Sequence, residues 1–274
     1  LAWAAGDAQA KGFLIGATSG RTTLNGEGLQ HQDGHSHVLS STIPNCLSYD
    51  PAYAYELAII FKDGIQKMFV EQQNYYYYIT VTNENYEQPK QPKGIEQDVI
   101  KGLYKVSSCS KPQVRLLGSG AILNESIAAQ EVLKKYSINA EVWSATSFNL
   151  LRKDGMEAER YNQLNPHKEK HLTHIDRCFE SHDIPVIATT DYMRAYAEQI
   201  RPYIYSSYSV LGTDGFGRSD SREELREFFE INTNHIVRLT AFTLHQESSI
   251  SKKQLDAIYK DLNVDPAKPN PWEV

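Results

Sequence analysis

From Val114 onward, short apolar runs alternate with stretches of helical periodicity, and this alternation constrains the fold more than any other feature of the chain. Val114–Leu117 reads as a strand, and the turn Gly118-Ser119-Gly120 leads into a helix from about Ala121 to Tyr136. Ala140–Ala145 is a second strand, followed by a helical segment to about Asn162. Pro185–Thr190 is a third, followed by a helix through Ile200. Tyr208–Gly212 is a fourth, before the turn Thr213–Asp220 and a helix near Arg222–Phe229. Amphipathic helices near Asn234–His245 and Lys252–Leu262 close the chain. Strands joined by crossover helices build a parallel sheet covered on both faces, so this part is predicted to be doubly wound α/β.

The upstream part is less regular. Gly12–Thr18 is short, apolar and bounded by glycines, which reads as a buried strand. A polar, glycine-rich loop runs from Ser19 to about His37, and Asn45–Tyr49 suggests another short strand. Pro51 sits as a first-turn proline of a helix reaching about Phe69. Tyr75–Thr82 is aromatic and β-branched, a strong strand signal. Asn83–Gly94 is polar with two prolines and reads as a linker between two domains.

Composition excludes several classes. No apolar run approaches the roughly 18–20 residues of a membrane span. Lys and Arg total 28 against 34 Asp and Glu, a net charge of −6, so a nucleic-acid binder lacks the cationic surplus it needs. The three cysteines, Cys46, Cys109 and Cys178, are far apart and form no C-x-x-C pair, which argues against a disulfide framework or structural zinc and fits a reducing cytosol. The chain opens Leu1-Ala2-Trp3-Ala4-Ala5 with neither a leader pattern nor a helix cap, and it is read as beginning inside something longer.

The densest polar cluster is Thr22–His37, which holds Glu27, Asp33, His31, His35, His37 and three glycines directly after the first strand. Ligands of doubly wound sheets bind beyond the carboxyl ends of strands, and histidine exchanges protons near neutral pH. His31 and His35 have the i, i+4 spacing of a helical zinc pair, but the glycines argue against a continuous helix, and bracing of a surface loop remains the alternative. Gly118-Ser119-Gly120 stands where a phosphate could rest on a helix N-terminus, yet it lacks the third glycine of G-x-G-x-x-G and the P-loop lysine, so a tight turn is favoured. In Thr213–Asp220, Arg218 is expected to order the turn by charge-assisted bonds, with contact to an acidic ligand or partner as the alternative.

The run GRTTLNGEGLQHQDGHSH, with TIPNCLSYDPAYAYE, YYYYITVTNENY, VRLLGSGAIL, VWSATSFNLLRKDG, TTDYMRAYAEQIRPY and LGTDGFGRSDSREELR, resembles the homodimeric bacterial type of pyruvate dehydrogenase E1 component, a transketolase-like family. The resemblance covers essentially the whole chain. It implies an α/β fold in which a partial thiamine-diphosphate-binding (pyrimidine) domain, residues 1–86, is joined by a linker, 87–100, to a transketolase C-terminal-like, doubly wound, mostly parallel sheet, 101–274. It also implies thiamine diphosphate and Mg²⁺ as cofactors and pyruvate, the product of glycolysis, as substrate. Further implications are the lipoyl domain of the E2 acetyltransferase as partner, a cytoplasmic homodimer, and no nucleic acid or membrane.

Gly28-Leu29-Gln30-His31 is similar to the G-P-x-H loop of transketolases. By that likeness His31 is the proton or hydrogen-bond donor to the substrate-derived oxygen and carboxylate. Glu27 is the second catalytic candidate, and His35 and His37 support the loop. The family's G-D-G motif for Mg²⁺ and diphosphate has no counterpart: Gly6-Asp7 is followed by Ala8, and Gly118-Ser119-Gly120 lacks the acid. The glutamate that activates the cofactor's aminopyrimidine lies upstream of the matched region. No metal ligand or cofactor grip is therefore assigned, and the chain alone is expected to be inactive. Two other readings stand beside this one: an assembly or docking module of E1, and a related 2-oxo acid dehydrogenase or transketolase-type enzyme.

Overall fold

The computed structural model describes residues 1–17 and 19–274; Thr18, the last residue of the run read as the first strand, lies outside them. The first half contains α1 (Ala2–Asp7), β1 (Phe13–Gly16), α2 (Ser36–Ser40), β2 (Cys46–Tyr49), α3 (Ala54–Ile65) and β3 (Tyr76–Thr80). Its three strands form a parallel sheet in the order β1-β3-β2, with Phe13 opposite Tyr77 and Leu47 opposite Tyr77. Alternation along β3 sends Tyr77 and Ile79 into a core with Leu47, Tyr49, Ile60 and Met68. On the edge strand β1, Leu14 and Ile15 remain 50% and 41% exposed.

The helix expected from Pro51 starts three residues later. The buried Glu56 carboxylate reaches back to accept the N–H groups of Ala52 and Tyr53, and this fixes the start of α3. The helix then runs on through a single π turn, Gln66–Val70.

The second half contains α4 (Glu96–Lys101), β4 (Tyr104–Ser107), β5 (Val114–Gly118), α5 (Leu123–Lys135), β6 (Ala140–Ser144), α6 (Phe148–Leu164), α7 (His174–Cys178), β7 (Val186–Thr189), α8 (Ala195–Glu198), β8 (Tyr208–Leu211), α9 (Arg222–Phe228), α10 (Thr233–Gln246) and α11 (Lys252–Asp261). The sheet order is β4-β6-β5-β7-β8, parallel throughout except for β4, an antiparallel edge strand that the sequence pattern did not reveal. Leu116, Val142 and Ile187 face α5 and α10, where Leu133, Val237 and Leu244 are buried. Leu117, Trp143 and Ala188 face the opposite way, toward Phe148, Leu151 and Ile175. Burial on both faces explains why these strands read as continuous apolar runs, each large side chain contributing about 1.5–3 kcal/mol. The helix expected to reach Ile200 is shorter, because Pro202 lies in a separate 3₁₀ turn, Arg201–Tyr203.

The stretch read as a linker is without regular structure from 83 to 92 but is pinned to the body. Tyr86 donates to the Ala52 carbonyl, Gln88 accepts the Ala54 N–H at 2.9 Å, and Glu84 pairs with Arg226. Its last residues belong to α4, whose carbonyls accept Tyr49 Oη (at Ile100, 2.9 Å) from one half and Thr146 Oγ1 (at Val99, 2.7 Å) from the other. Among the described residues no helix is long and apolar enough to cross a membrane.

Candidate active site

The carboxyl ends of β2 and β3 meet those of β5 and β7, and the polar cluster read from the sequence lies across this junction. Its entry is anchored by Asp191, just beyond β7. Thr22 donates to the Asp191 carboxylate through its N–H at 3.1 Å and through its Oγ1 at 2.7 Å, and Arg21 N donates to the Asp191 carbonyl at 3.3 Å. Gly20 has φ +90°, and a Cβ there would stand 2.3 Å from that carboxylate, so only glycine admits the approach. Burial raises the Asp191 pKa to about 6, against the pull of Arg226 and of the Thr22 bonds. Arg21 is itself buried; its Nη1 donates to the Gly215 carbonyl and its Nη2 lies 3.3 Å from His35 Nδ1.

The loop then swings into solvent and brings the two leading candidates together. Residues 29–31 make one 3₁₀ turn after an extended Gly28, and His31 Nδ1 lies 3.2 Å from Glu27 Oε2. The two side chains are 57% and 49% exposed. No continuous helix carries the histidines. His35 is exposed on the far side of a turn in which Asp33 Oδ1 accepts the N–H groups of His35 and Ser36, each at 3.0 Å, opening α2. Among the described residues no group of three or more His, Cys, Asp or Glu side chains is placed to hold a metal ion.

His37 lies apart from the others, fully buried. Its ring stacks on Tyr196 at 4.7 Å and meets the edge of Tyr192 at 4.6 Å. Burial lowers its pKa to about 3, so the ring stays neutral at physiological pH. Its Nε2 is 3.0 Å from Thr80 Oγ1, which in turn donates to Asp50 Oδ1 at 2.7 Å. With the ring proton on Nε2, this is a continuous donor chain from the loop to the seam.

The two glycine turns prove to be structural. Gly120, at φ +51°, lies against Asp50, and a Cβ on it would fall 2.7 Å from the carboxylate. The turn considered as a phosphate cradle therefore holds a carboxyl group of the chain itself: Ser119 Oγ donates to Asp50 Oδ2 at 2.9 Å and Gly120 N to the Asp50 carbonyl at 3.1 Å. In the 213–220 turn, the Arg218 guanidinium rests on the Phe228 ring at 4.2 Å, and its N–H donates to Gln32 Oε1 at 2.6 Å. Arg218 thus helps order the turn by ring packing and its main-chain N–H rather than by the expected charge-assisted bonds of its guanidinium; the charge-assisted bond to the turn comes instead from Arg21, at the Gly215 carbonyl.

Reasoning from sequence passed over Arg21, Gln32, Asp50, Glu56 and Asp191. A usable signal existed for two of them: Asp50 directly follows β2 and Asp191 lies two residues beyond the end of β7, each at a carboxyl end.

Comparison with known proteins agrees with this architecture. Residues 1–89 match the model of the pyruvate dehydrogenase E1 component middle domain, and residues 102–232 that of the transketolase-like C-terminal domain. The pyruvate dehydrogenase E1 component of Pseudomonas aeruginosa is 52% identical over 278 residues, covering 100% of this chain and 32% of that protein. That of Escherichia coli K12 is 53% identical, covering 99% of this chain and 31% of that protein. The chain therefore spans about a third of the length of the curated relatives it matches. Among solved structures, transketolase from Campylobacter jejuni superposes with a TM-score of 0.64 at 18% identity, covering 87% of this chain and 32% of that one, a likeness of fold.

Proposed function

We propose, on the premise that the chain belongs with the bacterial pyruvate dehydrogenase E1 components it matches along its whole length, that it supplies one wall of the active site of such an enzyme. The enzyme decarboxylates pyruvate oxidatively and passes the acetyl group to the lipoyl group of an E2 partner, downstream of glycolysis, in the cytoplasm and as a homodimer. The division of the chain is a pyrimidine-domain part to residue 86, a linker over 87–100 and a C-terminal domain from 101.

The observation that carries the reading is the exposed His31–Glu27 pair, Nδ1 to Oε2 at 3.2 Å, on a loop whose two ends are fixed by buried bonds. With Nδ1 facing Glu27, the other ring nitrogen is left to exchange a proton with a substrate oxygen. The carboxylate orients the ring toward that oxygen, the same division of labour as in other carboxylate–histidine pairs. His35 and His37 brace the loop from behind.

The enzyme's cofactor is thiamine diphosphate with Mg²⁺. The lack of a G-D-G motif supports the reading that this chain does not supply the main grip on that group. The chain alone is expected to show no saturable micromolar heat when titrated with thiamine diphosphate and Mg²⁺, and such a heat would overturn that part of the reading.

The alternative, an assembly module, draws on the exposed Leu14 and Ile15 of edge strand β1. Substituting His31→Ala in the full-length enzyme separates the two. The catalytic reading expects turnover to fall with dimerisation intact; the assembly reading expects assembly to change.

A further inference from the structure

We propose that Gln32 is the positioning residue for His31, holding the loop to the 213–220 turn through its side-chain oxygen; this rests on the catalytic reading of His31 given above. His31 ends a one-turn 3₁₀ helix closed by local bonds, His31 N to the Gly28 carbonyl at 3.0 Å and Gln32 N to the Leu29 carbonyl at 3.3 Å. Such a turn fixes shape but not place. The contact with Glu27 is exposed and moves with the same loop, so it does not fix place either.

The next side chain turns inward. Gln32 is 6% exposed, and its Oε1 accepts the Arg218 N–H at 2.6 Å. Gly217 permits the close approach: a Cβ there would stand 2.7 Å from Gln32 Oε1 and 3.2 Å from the Leu29 carbonyl oxygen. The turn that receives Gln32 is held firmly. Thr213 N donates to the Tyr192 carbonyl at 2.9 Å, Gly26 N to the Asp220 carbonyl at 2.9 Å, and Arg21 Nη1 to the Gly215 carbonyl. His31 is thereby located, one residue from its anchor, relative to the end of β8 in the other half of the molecule.

The two ends of the amide are unequal. Its oxygen makes the short bond, whereas Nε2 is buried with no partner among the described residues. The acceptor does the holding and the donor is idle. Glutamate at this position keeps the acceptor; methionine keeps the length and loses it.

The test uses the full-length, cofactor-loaded enzyme with pyruvate. In Gln32→Met, kcat is expected to fall roughly ten- to a hundredfold as His31 loses its place, with a changed pH profile of kcat and with KM and the thermal midpoint little altered. Gln32→Glu is expected to keep the wild-type kcat and profile. If Gln32→Met fails to fold, Gly217→Ala presses on the same contact from the other side and is expected to show the same loss. Wild-type kcat and pH profile in the folded variant that breaks the contact, beside an inactive His31→Ala, would overturn the positioning role alone. So would equal impairment of Gln32→Glu and Gln32→Met. Full turnover in His31→Ala would overturn the catalytic reading and this proposal with it.

Discussion

Ser119 Oγ donates to the Asp50 carboxylate at 2.9 Å, joining the end of β5 to the end of β2 across the seam between the two sheets. Three further contacts cross or line that seam: Glu56 accepts from Tyr104 Oη at 2.6 Å and Ser144 Oγ at 2.7 Å, and Thr22 donates to Asp191. The halves are therefore held in register by buried carboxylates supplied with hydroxyl and main-chain donors. Such groups are costly to bury unless every lone pair is met. The seam fixes where the two ends of the His31 loop stand.

Asp50 makes the seam sensitive to pH. Burial raises its pKa to about 7, although the Thr80 and Ser119 bonds pull it down. Its folded value lies above its unfolded one, so its stabilisation is fully present below about pH 4 and is lost as pH rises toward 7. His37 acts in the opposite sense. Its folded value of about 3 gives a contribution present above pH 6.5 and lost as pH falls. Over the shared window the two slopes oppose. Asp50→Asn removes one, so its stability relative to wild type should climb with pH by up to about 1.4 kcal/mol per unit between pH 4 and 7. Denaturant titrations at several pH values measure this, and a pH-independent difference would count against a protonated Asp50.

Glycine substitutions separate backbone strain from carboxylate contact. Gly94→Ala, at φ +77° in open space, should cost about 1 kcal/mol. Gly120→Ala, at φ +51° with Asp50 in the way of the methyl group, should cost about 2–4 kcal/mol. Equal losses in thermal or denaturant melts would show that the Asp50 contact is unimportant.

Glu56 takes donors on both oxygens, two main-chain N–H groups on one and two hydroxyls on the other. Glu56→Ala strands all four and should cost about 3–5 kcal/mol. Glu56→Gln should cost less, because the Tyr104 and Ser144 hydroxyls can turn to accept from the new amide. Unfolding curves for the pair test the ranking; a glutamine variant as damaged as the alanine one would refute the idea of reversible hydroxyls.

The parallel sheet of the second half was legible because its strands are apolar on both faces and its helices are periodic. β4 was not legible: Tyr104–Ser107 alternates only briefly, and its place as an antiparallel edge is decided by pairing with β6. α4 and α7 are too short for periodicity to register, and each is fixed by tertiary bonds. In the loop, residue types marked the polar cluster that holds Glu27 and His31, and the resemblance singled these two out and gave them roles; that the two side chains pair was not read. The residue types alone did not show that His31 is exposed and His37 fully buried, because that burial depends on three tyrosines supplied by distant segments. Gln32 was invisible for a similar reason: its importance comes from Arg218, which lies 186 positions away.

The central claim is that the His31 imidazole acts on the substrate. Its most direct test is kcat for pyruvate in full-length His31→Ala, with cofactor affinity measured on the same preparation. The account predicts kcat lower by about 10²–10⁴-fold with the cofactor still bound at wild-type affinity. Undiminished turnover would contradict it, as would a loss that merely follows loss of the cofactor or of the dimer.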